Sequence, residues 1–353
     1  MSFEDNIRKV VPYTPGEQPQ RKVIKLNTNE CPYAPSPRVA EALRSFSTDD
    51  LRKYPQPDCH MLTEKLSAYY GVPEDQIFVG VGSDDVLSMC FLTFFAGKKP
   101  ILFPDITYSF YEVWADVYRI PYETVPLTPA PEFRLNPDDY IGRENGGIIF
   151  ANANAPTGRV LSRDEVERIV AGNPDSVVVV DEAYIDFGGE TALPLIKKYD
   201  NIIVTRTMSK SRAMAGMRIG YAFGPKKLIK YLNDVKFSVN SYTMNMPSLV
   251  TGAAAIEDDA YFCDIVAKVV ATREWTKKEL RALGFEFCDS QTNFIFATRK
   301  GTDAGKLFEE LKQRDIFVRY FKKPVLENYL RITIGTQAEM ETFIAAVKEL
   351  IHA

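Results

Sequence analysis

The most restrictive feature of the chain is a series of short segments that are apolar along their whole length, set between longer stretches of helical character. They are QIFVGVG at 76–82, ILFP at 101–104, GIIFAN at 147–152, VVVV at 177–180, NIIVTRT at 201–207 and RIGYAFG at 218–224. A strand with one wetted face alternates apolar and polar residues, whereas a strand without that alternation is covered on both sides. Between the segments, HMLTEKLSAYY at 60–70 reads as a helix ending at Gly71, and DVLSMCFLTFF at 85–95 as one stopping before Gly97. YSFYEVWADVY at 108–118 is a third, and a fourth opens at Ser162 with the capping-box pattern Ser162-Arg-Asp-Glu165. Strands and helices in alternation predict an α/β fold: a large domain with a mostly parallel sheet flanked by helices.

The texture changes near residue 245. A helical stretch over about 254–283 precedes FEFCDS, NFIFAT, IFVRYF and YLRITIG, which read as short strands, and a last helix spans about 337–351. This predicts a smaller α+β domain over 246–353 beside a large domain over 41–245. Residues 1–40, with Pro12, Pro15, Pro19, Pro32, Pro35 and Pro37, cannot form continuous helix and read as an extended arm packed on the smaller domain.

Composition removes several function classes. A net charge of −4, from 43 basic and 47 acidic residues, lacks the basic excess through which nucleic acid is bound. The only histidines are His60 and His352, which leaves almost nothing from which to build a Ser–His–Asp hydrolase or a histidine metal site. Five cysteines, widely spread and without a C-x-x-C, read as reduced thiols rather than a disulfide framework or zinc site. The opening MSFEDNIRKVVPYTPG lacks the apolar core of a secretory signal, and no apolar run approaches a membrane span. The expectation is a cytoplasmic protein with no resident metal, no nucleic-acid partner and no membrane partner.

In open α/β sheets, ligands bind beyond the carboxyl ends of the strands. The first apolar segment is followed by Gly82-Ser83-Asp84-Asp85 opening a helix, where small residues let backbone N–H groups and the helix dipole reach an anion. The third is followed by Asn154-Ala-Pro-Thr-Gly158, the fourth by Asp181-Glu-Ala-Tyr184, and the fifth by Met208-Ser209-Lys210, with Arg218 beyond. A lysine and a carboxylate at neighbouring strand ends, beside a phosphate cradle, are what pyridoxal phosphate requires. The lysine engages its aldehyde, the acid keeps its ring nitrogen protonated, and the helix N-terminus holds its phosphate.

At this level of detail the chain resembles the fold-type I pyridoxal phosphate aminotransferases, and within them the histidinol-phosphate branch. The motifs are LNTNECPY at 26–33, RKYPQPD at 52–58, VGSDD at 81–85, TYSFY at 107–111, NAPTG at 154–158, DEAYIDF at 181–187, RTMSKSRAMAGMRIGY at 206–221 and YLRITIG at 329–335. The resemblance implies that Lys210 is the covalent attachment point and proton shuttle, that Asp181 pairs with the pyridine nitrogen, and that Tyr184, with Asn154, contacts the ring hydroxyl. It implies Tyr108 stacked on the ring, and Ser83, Asp84, Thr207, Ser209 and Arg218 around the phosphate. Tyr54 would reach that phosphate, and the substrate, from the partner subunit of a homodimer with shared sites. Arg331 would take the substrate carboxylate, Arg319 and Tyr13 its distal phosphate, and Asn29 would lie alongside. The implied reaction exchanges an amino group between L-histidinol phosphate and 2-oxoglutarate in histidine biosynthesis. An aromatic amino-acid aminotransferase and a decarboxylase of a phosphorylated amino acid are the alternatives on the same fold. Ala155, where such chains commonly carry a second Asn, and Ala34, where a glycine is usual, depart from the pattern.

Overall fold

The computed structural model describes residues 2–352. Twelve strands form two sheets: β1 (Ile24–Leu26), β2 (Ile77–Val81), β3 (Ile101–Pro104), β4 (Tyr122–Val125), β5 (Ile148–Ala151), β6 (Val178–Asp181), β7 (Ile202–Thr207), β8 (Ile219–Phe223), β9 (Glu286–Phe287), β10 (Phe294–Thr298), β11 (Ile316–Tyr320) and β12 (Leu330–Thr333). The larger sheet has seven strands in the order β2-β8-β7-β6-β5-β3-β4. Its pairings are parallel except for β8, which runs antiparallel to both β2 and β7. Reversal of β8 brings its first residues to the rim where the parallel strands end.

Both faces of this sheet are covered, as the absence of alternation requires. Val178 and Val180 pack on one side with Ile148, Phe150, Ile202 and Val204, while Val179 packs on the other with Phe103, Ile149 and Ile203. Each of these side chains is fully buried, and each contributes about 1.5–3 kcal/mol relative to exposure. The four-valine run is therefore continuous because successive residues serve two different cores.

The second sheet has the order β1-β11-β12-β10-β9. The arm enters it: β1 pairs in parallel with β11, Ile24 opposite Ile316 and Leu26 opposite Val318. That pairing carries the LNTNE segment to the boundary between the sheets. The helical stretch expected over 254–283 is two helices, Met246–Ile256 and Asp259–Ala282. Their break is held from outside, with Ser36 bonded to the Asp258 carboxylate and Lys65 paired with Glu257 at 2.9 Å. Helices at Pro37–Ser45, Lys226–Val239 and Ala304–Gln313 and the mostly exposed edge strand β4 lie outside the segments singled out from the sequence. No helix among the described residues is long and apolar enough to cross a membrane.

Candidate active site

The carboxyl-end rim of the larger sheet encloses a cavity of about 160 Å³, lined among others by Ser83, Asp84, Tyr108, Asp181, Tyr184, Ser209, Lys210 and Arg218. Each arrives by a different route. Ser83 and Asp84 stand in the first turn of the Gly82–Phe94 helix, whose backbone N–H groups have no partners within the helix. Two glycines make room for this cradle. A Cβ on Gly82, at φ +82°, would lie 2.5 Å from the Arg218 guanidinium, and one on Gly220 would lie 2.3 Å from the Gly82 carbonyl carbon. Arg218 donates to the Asp84 carboxylate at 3.3 Å and to the Ala215 carbonyl at 3.2 Å. The other Asp84 oxygen accepts the Tyr108 hydroxyl at 2.8 Å, which fixes the tyrosine ring over the cavity. Thr207 is buried behind the cradle and donates to Ser209 at 2.9 Å.

Asp181 ends β6 with its carboxylate turned into the site, and strand alternation sends Glu182 the opposite way. There Glu182 receives Arg206 at 2.9 Å together with Thr191 and the Ala192 N–H, a fully buried ion pair behind the cavity. Asp181 is itself only 4% exposed. Burial raises its pKa from 3.8 to about 6, against the opposing effect of hydrogen bonds from the Tyr111 hydroxyl at 3.0 Å and the Ala183 N–H at 3.2 Å. Holding that carboxylate charged without a cation costs about 3 kcal/mol. Lys210 projects from the loop after β7, its Nζ 3.4 Å from the Thr28 carbonyl and 5.8 Å from the centre of the Tyr184 ring.

A second cavity of about 130 Å³ shares Tyr108, Tyr184 and Lys210 with the first and adds Tyr13, Asn29, Arg319 and Arg331 from the arm and the smaller sheet. Arg319 and Arg331 are direct cross-strand partners on β11 and β12. Like charges opposed in this way repel. Arg319 is held by the Thr14 and Pro15 carbonyls at 2.9 and 3.2 Å, Arg331 by the Asn27 carbonyl at 2.9 Å, and neither has a carboxylate partner among the described residues. The Arg331 Nε is closed off from solvent with no acceptor among the described residues. Burial foremost, and Arg319 beside it, pull the Arg331 guanidinium below its ordinary basicity. A bound anion removes both penalties.

Several residues singled out from the sequence take places that the sequence does not convey. Asn154 directs its amide to the Ile106 carbonyl and Thr157 and accepts from Thr107 at 2.8 Å, so it braces the loop carrying Tyr108 while Ala155 lines the cavity. Asn29 is buried with both ends of its side chain bonded to Tyr184 and Thr333. Tyr13 stacks on Phe110 at 4.2 Å. Tyr54 is 81% exposed, stacks on Tyr242 at 4.5 Å, and lines neither cavity. Tyr111 and Thr333 escaped the sequence reading. Tyr111 lies within TYSFY, three residues after Tyr108, but nothing in the sequence shows that its hydroxyl ends on Asp181.

The site thus holds an anion cradle, a buried carboxylate in need of a cation, a lysine, and beyond them a second anion position. The family model for aminotransferase class I and II matches residues 21–347. The chain belongs to the class I and II aminotransferases. Among curated relatives of this aminotransferase, a histidinol-phosphate aminotransferase of Lactococcus lactis subsp. cremoris is 48% identical over 352 residues, covering 99% of this chain and 98% of the relative. One from Bordetella parapertussis is 49% identical over 345 residues, covering 97% and 96%. Among solved structures, histidinol-phosphate aminotransferase from Sinorhizobium meliloti in complex with pyridoxal 5′-phosphate superposes with a TM-score of 0.84 at 25% identity, covering 94% of this chain and 92% of that one.

The residues present fit pyridoxal phosphate on grounds internal to this aminotransferase. The ionised Asp181 lacks a cation that a protonated pyridine nitrogen supplies, the glycine-walled cradle offers a phosphate the uncapped first turn of a helix, and Lys210 opens into the same cavity.

Proposed function

We propose that this aminotransferase exchanges an amino group between L-histidinol phosphate and 2-oxoglutarate, using pyridoxal 5′-phosphate, as a step of histidine biosynthesis. The observation that carries the substrate reading is the opposed pair Arg319 and Arg331 next to Lys210, with a buried guanidinium nitrogen left open. The two substrates share no carboxylate: histidinol phosphate carries a phosphate ester and an imidazole, 2-oxoglutarate two carboxylates. A single anion site must serve both halves of the exchange, and a pair of guanidinium groups suits carboxylate and phosphate alike.

When bound, pyridoxal phosphate supplies an aldehyde that takes up the amino group and a protonated ring that withdraws electrons from the substrate carbon. The chain does the rest. Ser83, Asp84, Ser209 and Arg218 hold the phosphate, the first two through backbone N–H groups, and Thr207 fixes Ser209. Asp181 stays ionised against the ring nitrogen, Tyr108 lies on the ring face, Tyr184 meets the ring hydroxyl, and Asn154 steadies the wall beside it. Lys210 Nζ holds the cofactor between turnovers, takes the proton from the substrate's α-carbon and returns it at the cofactor's C4′. Arg331 takes the carboxylate, and Arg319 with Tyr13 the phosphate of the alternate substrate.

The exposed Tyr54 completes the site of a second copy of the chain in this reading, making the enzyme a homodimer, with residues 41–245 as the cofactor domain, 246–353 as the smaller one and the arm joining it. Five unpaired cysteines suit a reducing, cytoplasmic setting.

The test is the visible spectrum of the purified protein before and after L-histidinol phosphate. Conversion of the yellow band to that of the aminated cofactor is expected. A band unmoved by histidinol phosphate but converted by phenylalanine or tyrosine sinks the substrate reading, and full turnover by Lys210→Ala without added amine sinks the mechanism.

A further inference from the structure

One buried chain of hydrogen bonds crosses from the smaller sheet to the cofactor cavity. Asn29, at φ 55°, is 1% exposed and Thr333 is 2% exposed. The Asn29 backbone N–H donates to the Thr333 hydroxyl at 3.0 Å, and the Thr333 hydroxyl donates to Asn29 Oδ1, also at 3.0 Å. Asn29 Nδ2 then donates to the Tyr184 hydroxyl at 2.8 Å. The Asn29 carbonyl is held in turn by Asn293 Nδ2 at 3.0 Å.

The direction of this chain follows from counting protons. A hydroxyl has one proton to give. Thr333 already accepts from a backbone N–H, and the only acceptor within its reach among the described residues is Asn29 Oδ1. Turning the Asn29 amide over would leave the Thr333 proton buried without an acceptor, a loss of about 1–3 kcal/mol. The amide is therefore locked with its nitrogen toward Tyr184. Tyr184 receives that proton on its oxygen, has no acceptor for its own among the described residues, and stands in the wall of the cavity with Lys210.

We propose that Thr333 and Asn29 are positioning residues that commit Tyr184 to donate its hydroxyl proton to the ring oxygen of the bound cofactor. The inference rests on the cofactor reading given above. It also ties the strand that bears Arg331, two residues before Thr333, to the electronic state of the cofactor. A donor at the ring oxygen stabilises its charged form and lets the bound cofactor lose its proton at lower pH. Removing the donor raises that midpoint. The ionisable groups facing the Tyr184 phenol are Lys210, Arg331, Tyr108 and Tyr111, and the variants below leave all four in place.

The experiment is a pH titration of the visible band of the cofactor-loaded enzyme, without substrate. Tyr184→Phe is expected to raise the midpoint by about one to two pH units, the equivalent of one hydrogen bond to a charged oxygen. Thr333→Val, nearly the same shape, frees the Asn29 amide to turn and is expected to raise it by about one unit. Thr333→Ser restores the wild-type midpoint, and Thr333→Val adds nothing in the Tyr184→Phe background. If Thr333→Val does not fold, Asn29→Asp keeps the left-handed backbone and replaces the donor by an acceptor. The part of its shift that vanishes in the Tyr184→Phe background then reports the chain of bonds. A wild-type midpoint in both Thr333→Val and Asn29→Asp, with Tyr184→Phe shifted, overturns the proposal, as does simple additivity with Tyr184→Phe. A midpoint unmoved by Tyr184→Phe itself overturns the assignment of Tyr184, and the proposal with it.

Discussion

Tyr111→Phe removes one oxygen atom from a fully buried ring and so isolates the role of its hydroxyl on Asp181. The ring keeps its contacts with Phe91, Phe103 and Tyr108, and no cavity larger than a hydroxyl forms. Among the described residues Asp181 Oδ2 has no other donor, and Oδ1 retains only the Ala183 N–H at 3.2 Å. A hydrogen bond to a charged group contributes about 1.5–3 kcal/mol, which is about one to two pH units of carboxylate acidity. The cofactor-free Asp181 transition, already raised by burial to about 6, should therefore move to between about 7 and 8. The sign matters for binding. Below its transition Asp181 is neutral and gives nothing to a protonated ring nitrogen, so cofactor affinity falls as pH falls through that value. Fluorescence titration of cofactor-free protein with pyridoxal phosphate between pH 5 and 9 tests this. Wild type should lose affinity below about pH 6, and Tyr111→Phe should bind about two to ten times more weakly at pH 7 yet recover toward pH 9. Coincident profiles for the two proteins would refute the assignment of Tyr111 as the group that keeps Asp181 ionised.

Arg331→Gln leaves Arg319 without its repelling neighbour and should raise the KM for glutamate and 2-oxoglutarate at least tenfold while the cofactor stays bound, as steady-state kinetics and an absorption scan will show. Gly220→Ala places a methyl group against the Gly82 backbone, which has no flexible end to yield. Chemical denaturation should report a loss of about 1–3 kcal/mol, accompanied by weaker phosphate and cofactor binding. Arg206→Met strips the buried Glu182 of its cation and should destabilise the protein by about 3–5 kcal/mol in the same assay. Replacing both partners by apolar residues should recover much of that loss.

The residues that line the cavity at the sheet's rim were largely legible because each is placed by local chain geometry at a strand end. An apolar segment with no alternation has to be a doubly covered strand, its carboxyl end has to face the rim, and the residue types waiting there (Gly82-Ser83, Asp181, Lys210) are tied to one kind of chemistry. The capping box at Ser162 follows from sequence because its bonds lie within three residues, and the two-faced covering of Val178–Val180 follows from the missing alternation, although the side chains that cover it come from other strands. Other features depend on partners distant in the chain. The break between the helices at 256 and 259 is held by Ser36 and Lys65, more than 190 residues away. The three uncalled helices and β4 depend on packing or edge exposure rather than on a clear period. Asn29 looks in sequence like a polar residue near a substrate, yet it meets Thr333 across 304 residues and Tyr184 across 155. Tyr111 reaches Asp181 across 70 residues, and Arg319 faces Arg331 only because β11 and β12 pair in one register. Sequence by itself determined which groups stand at the strand ends around the cavity, since residue type and strand position are local properties. The tertiary structure alone decided how those groups are charged, aimed and braced, because burial and the polarity of a hydrogen bond exist only once distant segments meet.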